Sequence, residues 1–174
     1  MAQRTSELKQ QQVFEILKKD HREAEQMMKQ IHTVDPEERE LIFINLKESL
    51  REHMQMEEKE FYPRLQEFDE MDDLVDDALE EHDETKEFLN DLEEIEDFED
   101  KEWLTTFQKM QKGVEHHIQD EEKEIFPGCT KHLNSQQLDE IARKCVQFKE
   151  KSQLSQSKGT TTTKKQTKKH AEVR

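Results

Sequence analysis

The chain has 174 residues and a formal net charge of −16, with 30% hydrophobic and 40% charged residues. That length suits one domain with its own core and is too short for two ordinary domains plus a long tail. The acidic balance argues against nucleic acid or an anionic membrane as partner, and no apolar run approaches the roughly 20 residues of a membrane span.

Low hydrophobicity would suggest disorder if the apolar residues were scattered, but here they recur at helical spacing. Gly and Pro are scarce, at three each, and Glu, Lys, Gln and Leu abound, which points to long helices and no strands. The first helix is expected from about Ser6 to Ile31, with Phe14, Leu17, His21, Ala24, Met28 and Ile31 on one face. Asp35, Pro36 and two glutamates read as the cap and first turn of a second helix, which Pro63 should stop or kink. Its inner stripe is Ile42, Leu46, Leu50, His53, Glu57 and Phe61. A third helix, about Met71 to Ile95, aligns Val75, Ala78, His82, Thr85, Leu89 and Leu92. Asp100 caps a fourth, with Trp103, Phe107, Met110, Val114, His117, Glu121 and Ile125 inward, before Pro127-Gly128 ends it. A shorter fifth helix from Ser135 to Leu154 offers Leu138, Ile141, Cys145 and Phe148 as a covering edge. Short connections predict an all-α, up-down-up-down four-helix bundle over residues 1–154, flanked by the fifth helix. Residues 155–174 carry six Lys or Arg against one Glu and little apolar surface, so this Lys/Thr-rich tail is expected to be disordered.

The chemistry lies in an internal repeat. His53-Met-Gln-Met-Glu-Glu-Lys-Glu-Phe-Tyr-Pro63 matches His117-Ile-Gln-Asp-Glu-Glu-Lys-Glu-Ile-Phe-Pro127 at seven of eleven positions. In each copy a His and the Glu four residues on share the inward face, where both side chains can grip one metal ion. With His21 and His82, each of the four helices places one histidine on its apolar stripe. Burying two carboxylates without compensation costs several kcal/mol, and no arginine lies on these stripes, so a pair of divalent cations is expected. Imidazole and carboxylate donors suit iron, with manganese as the alternative, better than the four-coordinate, often thiolate-rich sites of zinc. Glu58 and Glu122 fit either an outer hydrogen-bonding role or a solvated one. His116 should face solvent, as should His32, His132 and His170, and Tyr62 could donate a hydrogen bond near the site, although its place beside Pro63 favours packing at the bundle end.

Over about residues 14–130 the sequence resembles the hemerythrin-like family, whose repeated unit places a histidine on one helix and His-x-x-x-Glu on the next. The resemblance implies a non-haem di-iron centre with His21, His53, His82 and His117 as ligands and Glu57 and Glu121 as bridges. A ferritin-like site would need Glu-x-x-His, and none of the eight histidines has a Glu three residues before it. Two departures separate the chain from the oxygen carriers of the family. Lys86 stands where a further histidine ligand would follow His82, and Glu121 replaces an Asp at longer spacing. An ammonium cannot ligate a cation, so the position beside His82 and His117 should be more open.

Met1–Gln12 holds no signal-type apolar run, and Cys129 and Cys145 form neither a C-x-x-C pair nor a disulfide framework. A cytoplasmic protein with reduced thiols is expected. Its partner is expected to be a small molecule, O2, NO or peroxide, which it binds, senses or scavenges. The alternatives are a di-iron enzyme of peroxide or NO decomposition or iron–sulfur repair, and an iron storage or delivery protein.

Overall fold

The computed structural model describes residues 12–166. Among these residues there are helices and no strands, gathered in five rods. Rod α1 is Gln12–Ile31; α2 is Pro36–Met56, prolonged by a π-helical turn, Glu57–Phe61, and a last α-turn, Tyr62–Leu65. Rod α3 is Asp69–Glu94; α4 is Lys101–Asp120, prolonged by a π turn, Glu121–Ile125, and by Phe126–His132; α5 is Ser135–Gln166. The start expected near Ser6 lies outside the described residues.

Local chemistry sets the boundaries. Asp35 caps α2 by accepting from the Glu38 backbone N–H at 2.9 Å, with Pro36 in the first turn. Asp100 caps α4 through the Glu102 N–H at 2.6 Å. Arg39 ties the loops at one end together, donating to the carbonyls of Ile31 at 3.0 Å, Val34 at 3.2 Å and Phe98 at 2.6 Å.

Rods α1 to α4 form the up-down-up-down bundle, and α5 packs along α1 and α2. Its apolar interior is two separate clusters. One, at the α5 end, joins Leu17, Met56, Phe61, Leu65, Val75, Phe126, Leu138 and Ile141. The other, at the Arg39 end, joins Met28, Leu46, Leu50, Leu89, Trp103, Phe107 and Met110. Between them lies a layer of buried polar groups, Asp20, His21, His53, Glu57, His82, Thr85, His117 and Glu121.

Three expectations need correction. The prolines do not end their helices: α2 runs on to Leu65 and α4 to His132. Proline lacks the N–H that an α-helix would direct to the fourth preceding carbonyl, and here the register has already shifted, with the Tyr62 and Phe126 N–H groups bonding Glu57 and Glu121 five residues back. Gly128 lies inside that last helical stretch, where a Cβ would come within 2.7 Å of Met71 Sδ, so it serves close approach to the start of α3. Finally, α5 does not end at Leu154 but continues to Gln166, through Gly159 and four threonines whose weak helix propensity hid the extension from a reading by composition. Residues 167–174 of the expected tail lie outside the described residues.

Candidate metal centre

Each rod of the bundle delivers its histidine to the polar layer at the same depth. The imidazoles meet in pairs through Nε2: His21 and His53 at 3.2 Å, His82 and His117 at 3.2 Å. Glu57, wholly buried, lies between the pairs, with Oε1 3.1 Å from His53 Nε2 and Oε2 3.3 Å from His82 Nε2. Glu121 places Oε2 3.1 Å from His21 Nε2. Two donor groups result. One is His21, His53, Glu57 and Glu121, the other Glu57, His82 and His117, and within each the donor atoms lie within 4.8 Å of one another.

Each imidazole turns its other nitrogen to a carboxylate. His21 Nδ1 is 2.9 Å from Glu122, His53 Nδ1 3.4 Å from Asp20, His82 Nδ1 3.0 Å from Glu58 and His117 Nδ1 3.0 Å from Glu81. The pattern has pseudo-twofold symmetry. Asp20 and Glu81, each just before the histidine of its own rod, serve the His-x-x-x-Glu histidine of the next rod. Glu58 and Glu122, each just after the repeat's Glu, serve the single histidine of the opposite hairpin. Three of these carboxylates are backed by cations: Glu122 by Arg22, Asp20 by Lys149 of α5, and Glu58 by Lys86 at 2.8 Å. Glu81 instead shares a cluster with His116 and Asp120.

Such carboxylate partners fix the Nδ1–H tautomer and leave the Nε2 lone pair directed inward. With Nε2 unprotonated, paired lone pairs face each other at 3.2 Å, and buried Glu57 Oε1 and Glu121 Oε2 beside them then accept no hydrogen bond. A cation in each group relieves both conditions, so the residues present fit a metal pair. Without metal, protons fill the role. Burial would depress His53, but the charge of Glu57, the Asp20 hydrogen bond and Glu121 raise it to about 10. Burial pushes Glu57 upward, yet His53 and His82 carry it well below the usual carboxylate range.

The two sides of the layer differ. Toward the Arg39 end, His21, His53, His82 and His117 border a cavity of about 20 Å3, room for about one water molecule, closed by Ala24, Leu50, Thr85, Val114 and Ile118. Toward the α5 end stands Tyr62, only 1% exposed, whose hydroxyl is 3.2 Å from Glu121 Oε1 and 3.5 Å from Glu57 Oε2. Burial, then Glu121 and Glu57, raise its pKa well above the ordinary value, so the phenol keeps its proton. A cleft of about 500 Å3 between α3 and α4, lined by Asp77, Glu80, Glu81, Glu84, Asp120 and Glu124, reaches His117 and Glu121 from outside.

The six residues singled out in the sequence are thus brought together. His116 is exposed as expected, His132 is half-buried against Phe68, and His170 lies outside the described residues. Of its two expected roles, Tyr62 takes the hydrogen-bonding one as well as packing. In an α-helix a residue five positions on lies about 140° around the axis, whereas the π turn brings it under Glu57. Asp20, Glu81 and Lys149 were not anticipated, although the Asp20-His21 and Glu81-His82 dipeptides were a visible signal.

A four-helix bundle with two His/Glu donor groups in its core defines a class of metal-binding helical protein. Residues 11–129 match the hemerythrin HHE cation-binding domain, and the chain belongs to that family. No curated protein and no solved structure matches it.

Proposed function

We propose that the protein is a non-haem di-iron protein of the cytoplasm that binds, senses or scavenges O2, NO or peroxide, with residues 1–154 as the bundle domain. His21, His53, Glu57 and Glu121 hold one iron, and Glu57, His82 and His117 the other. The observation that carries the reading is the pair of buried, unpartnered carboxylate oxygens facing inward imidazoles. When bound, the irons supply redox chemistry and Lewis acidity toward small ligands. The chain's own residues do the rest. Asp20, Glu58, Glu81 and Glu122 orient the imidazoles, Glu57 spans both positions, and the surrounding apolar side chains exclude bulk water. The cavity of about 20 Å3, about the room of one water molecule, favours only the smallest ligands over any organic substrate. Consistently, no helix among the described residues is long and apolar enough to cross a membrane.

Peroxide decomposition is the second reading, favoured by Tyr62, a buried O–H donor beside both carboxylates. The test is metal content per chain after anaerobic purification, with visible spectra before and after air, NO and peroxide. About two irons per chain and ligand-dependent absorption are expected. Absence of stoichiometric metal after reconstitution would remove the reading. Repeated turnover of peroxide would make the protein an enzyme.

A further inference from the structure

The repeat that builds the centre is symmetric in its histidines and glutamates and differs at four positions, one of which changes the polar groups beside the central carboxylates. Five residues after Glu57 stands Tyr62; five after Glu121 stands Phe126. Both rings occupy corresponding places, Tyr62 with its centroid 5.5 Å from His82 and Phe126 6.2 Å from His21. Among the differences between the halves, the hydroxyl is the one that meets the central carboxylates. A phenol carries one proton. At 3.2 Å from Glu121 Oε1 and 3.5 Å from Glu57 Oε2, it is better placed to donate to Glu121.

The two carboxylates behave accordingly. Glu57 addresses both histidine pairs, one oxygen to each. Glu121 offers Oε2 to the His21–His53 pair while its Oε1 accepts from Tyr62, and it is missing from the donor group of His82 and His117. One position has four protein donors, the other three. The acidic cleft between α3 and α4 reaches the three-donor position at His117, and Glu121 lines it too.

We propose that Tyr62 is a positioning residue that makes the two metal positions inequivalent. By holding Glu121 Oε1 it confines Glu121 to the His21–His53 position, so that the His82–His117 position loads second and releases its ion first. The acidic cleft supplies that exchange by concentrating divalent cations at its mouth. This inference rests on the two-metal reading above and adds an order of loading to it.

The test is an anaerobic cobalt(II) titration of the metal-free full-length protein, read by visible absorption and by competition with a chelator. The unaltered protein is expected to take up cobalt in two steps of unequal affinity. Tyr62→Phe, with folding checked by circular dichroism, frees Glu121 Oε1 to bridge and is expected to strengthen the second step about 10-fold, leaving the first nearly unchanged. A role confined to packing would shift thermal stability and move both steps together. Glu121→Gln is expected to weaken the first step and spare the second. Two cobalt ions bound with equal affinity, a Tyr62→Phe titration superimposable on the parent, or equal loss of both steps in Glu121→Gln would each overturn the inference while leaving the metal pair intact. Failure to bind any stoichiometric cobalt would remove the two-metal reading itself.

Discussion

Lys149 of α5 and Asp20 of α1, separated by 129 positions in the sequence, form an ion pair at the edge of the polar layer, and the same Asp20 carboxylate faces His53 Nδ1 at 3.4 Å. The fifth rod is thus more than a cover for the apolar flank. It steadies the acid that orients one of the four imidazoles.

Lys149→Met keeps most of the aliphatic stem and removes the charge, so Asp20 loses its anchor while α5 keeps its packing through Leu138, Ile141 and Cys145. Metal affinity at the His21–His53 position is expected to fall by about 10-fold with little change in melting temperature. A competition assay on the metal-free protein measures this. Unchanged affinity would mean that Asp20 is held well enough without its partner.

Glu57 and Glu121 are equivalent in the repeat but not in space. Because Glu57 alone reaches both histidine pairs, Glu57→Ala is expected to lose both ions, whereas His117→Ala should lose mainly the ion beside His82. Iron per chain, determined on purified protein, is expected near zero for the first variant and near one for the second. Two irons retained in Glu57→Ala would remove its spanning role.

Periodicity made the bundle and the six central residues readable, since an apolar stripe interrupted on every rod by one histidine is a pattern that survives errors in helix ends. His21 between Leu17 and Ala24, and His82 between Ala78 and Thr85, were placed by spacing alone. What escaped was what spacing of 3.6 residues cannot express. Which carboxylates Tyr62 would reach was not legible, because a π turn intervenes, with Pro63 standing just after it. Glu81 and Asp20 act across to a neighbouring rod, and Lys149 from a rod more than a hundred residues away in sequence, so no local window reveals them.

In the proposed function the cavity bordered by Ala24, Thr85 and Val114 takes the small ligand, and its volume is about 20 Å3. Ala24→Leu adds three carbons at its wall, with the donor atoms untouched. Iron content is expected to match the parent, whereas the spectral response to NO should slow by at least about tenfold, as restricted access reduces the association rate. An unaltered NO response with normal iron would show that ligands approach from the acidic cleft instead.

Protons and metal compete for the same lone pairs, which sets the pH dependence of stability. His53 rises from an ordinary 6.5 to about 10 in the metal-free fold, as Glu57, Asp20 and Glu121 outweigh its burial. The native state therefore holds a proton that the unfolded chain releases; the resulting stabilisation is complete below 6.5 and is lost as pH climbs toward 10. Glu57 acts oppositely. Its pKa is depressed from 4.5, so its contribution is complete above that value and lost as pH falls through the lowered one. Metal-free protein should accordingly be most stable, as far as these two groups decide, between pH 4.5 and 6.5, with a melting temperature that declines from pH 6.5 to 10. With iron bound, the imidazoles must be unprotonated, so raising the pH favours the ion and the two melting curves should diverge on the alkaline side. Melting temperatures measured by circular dichroism on both forms decide the matter. A metal-free curve that stays level or rises over that alkaline range would show that His53 carries no such proton.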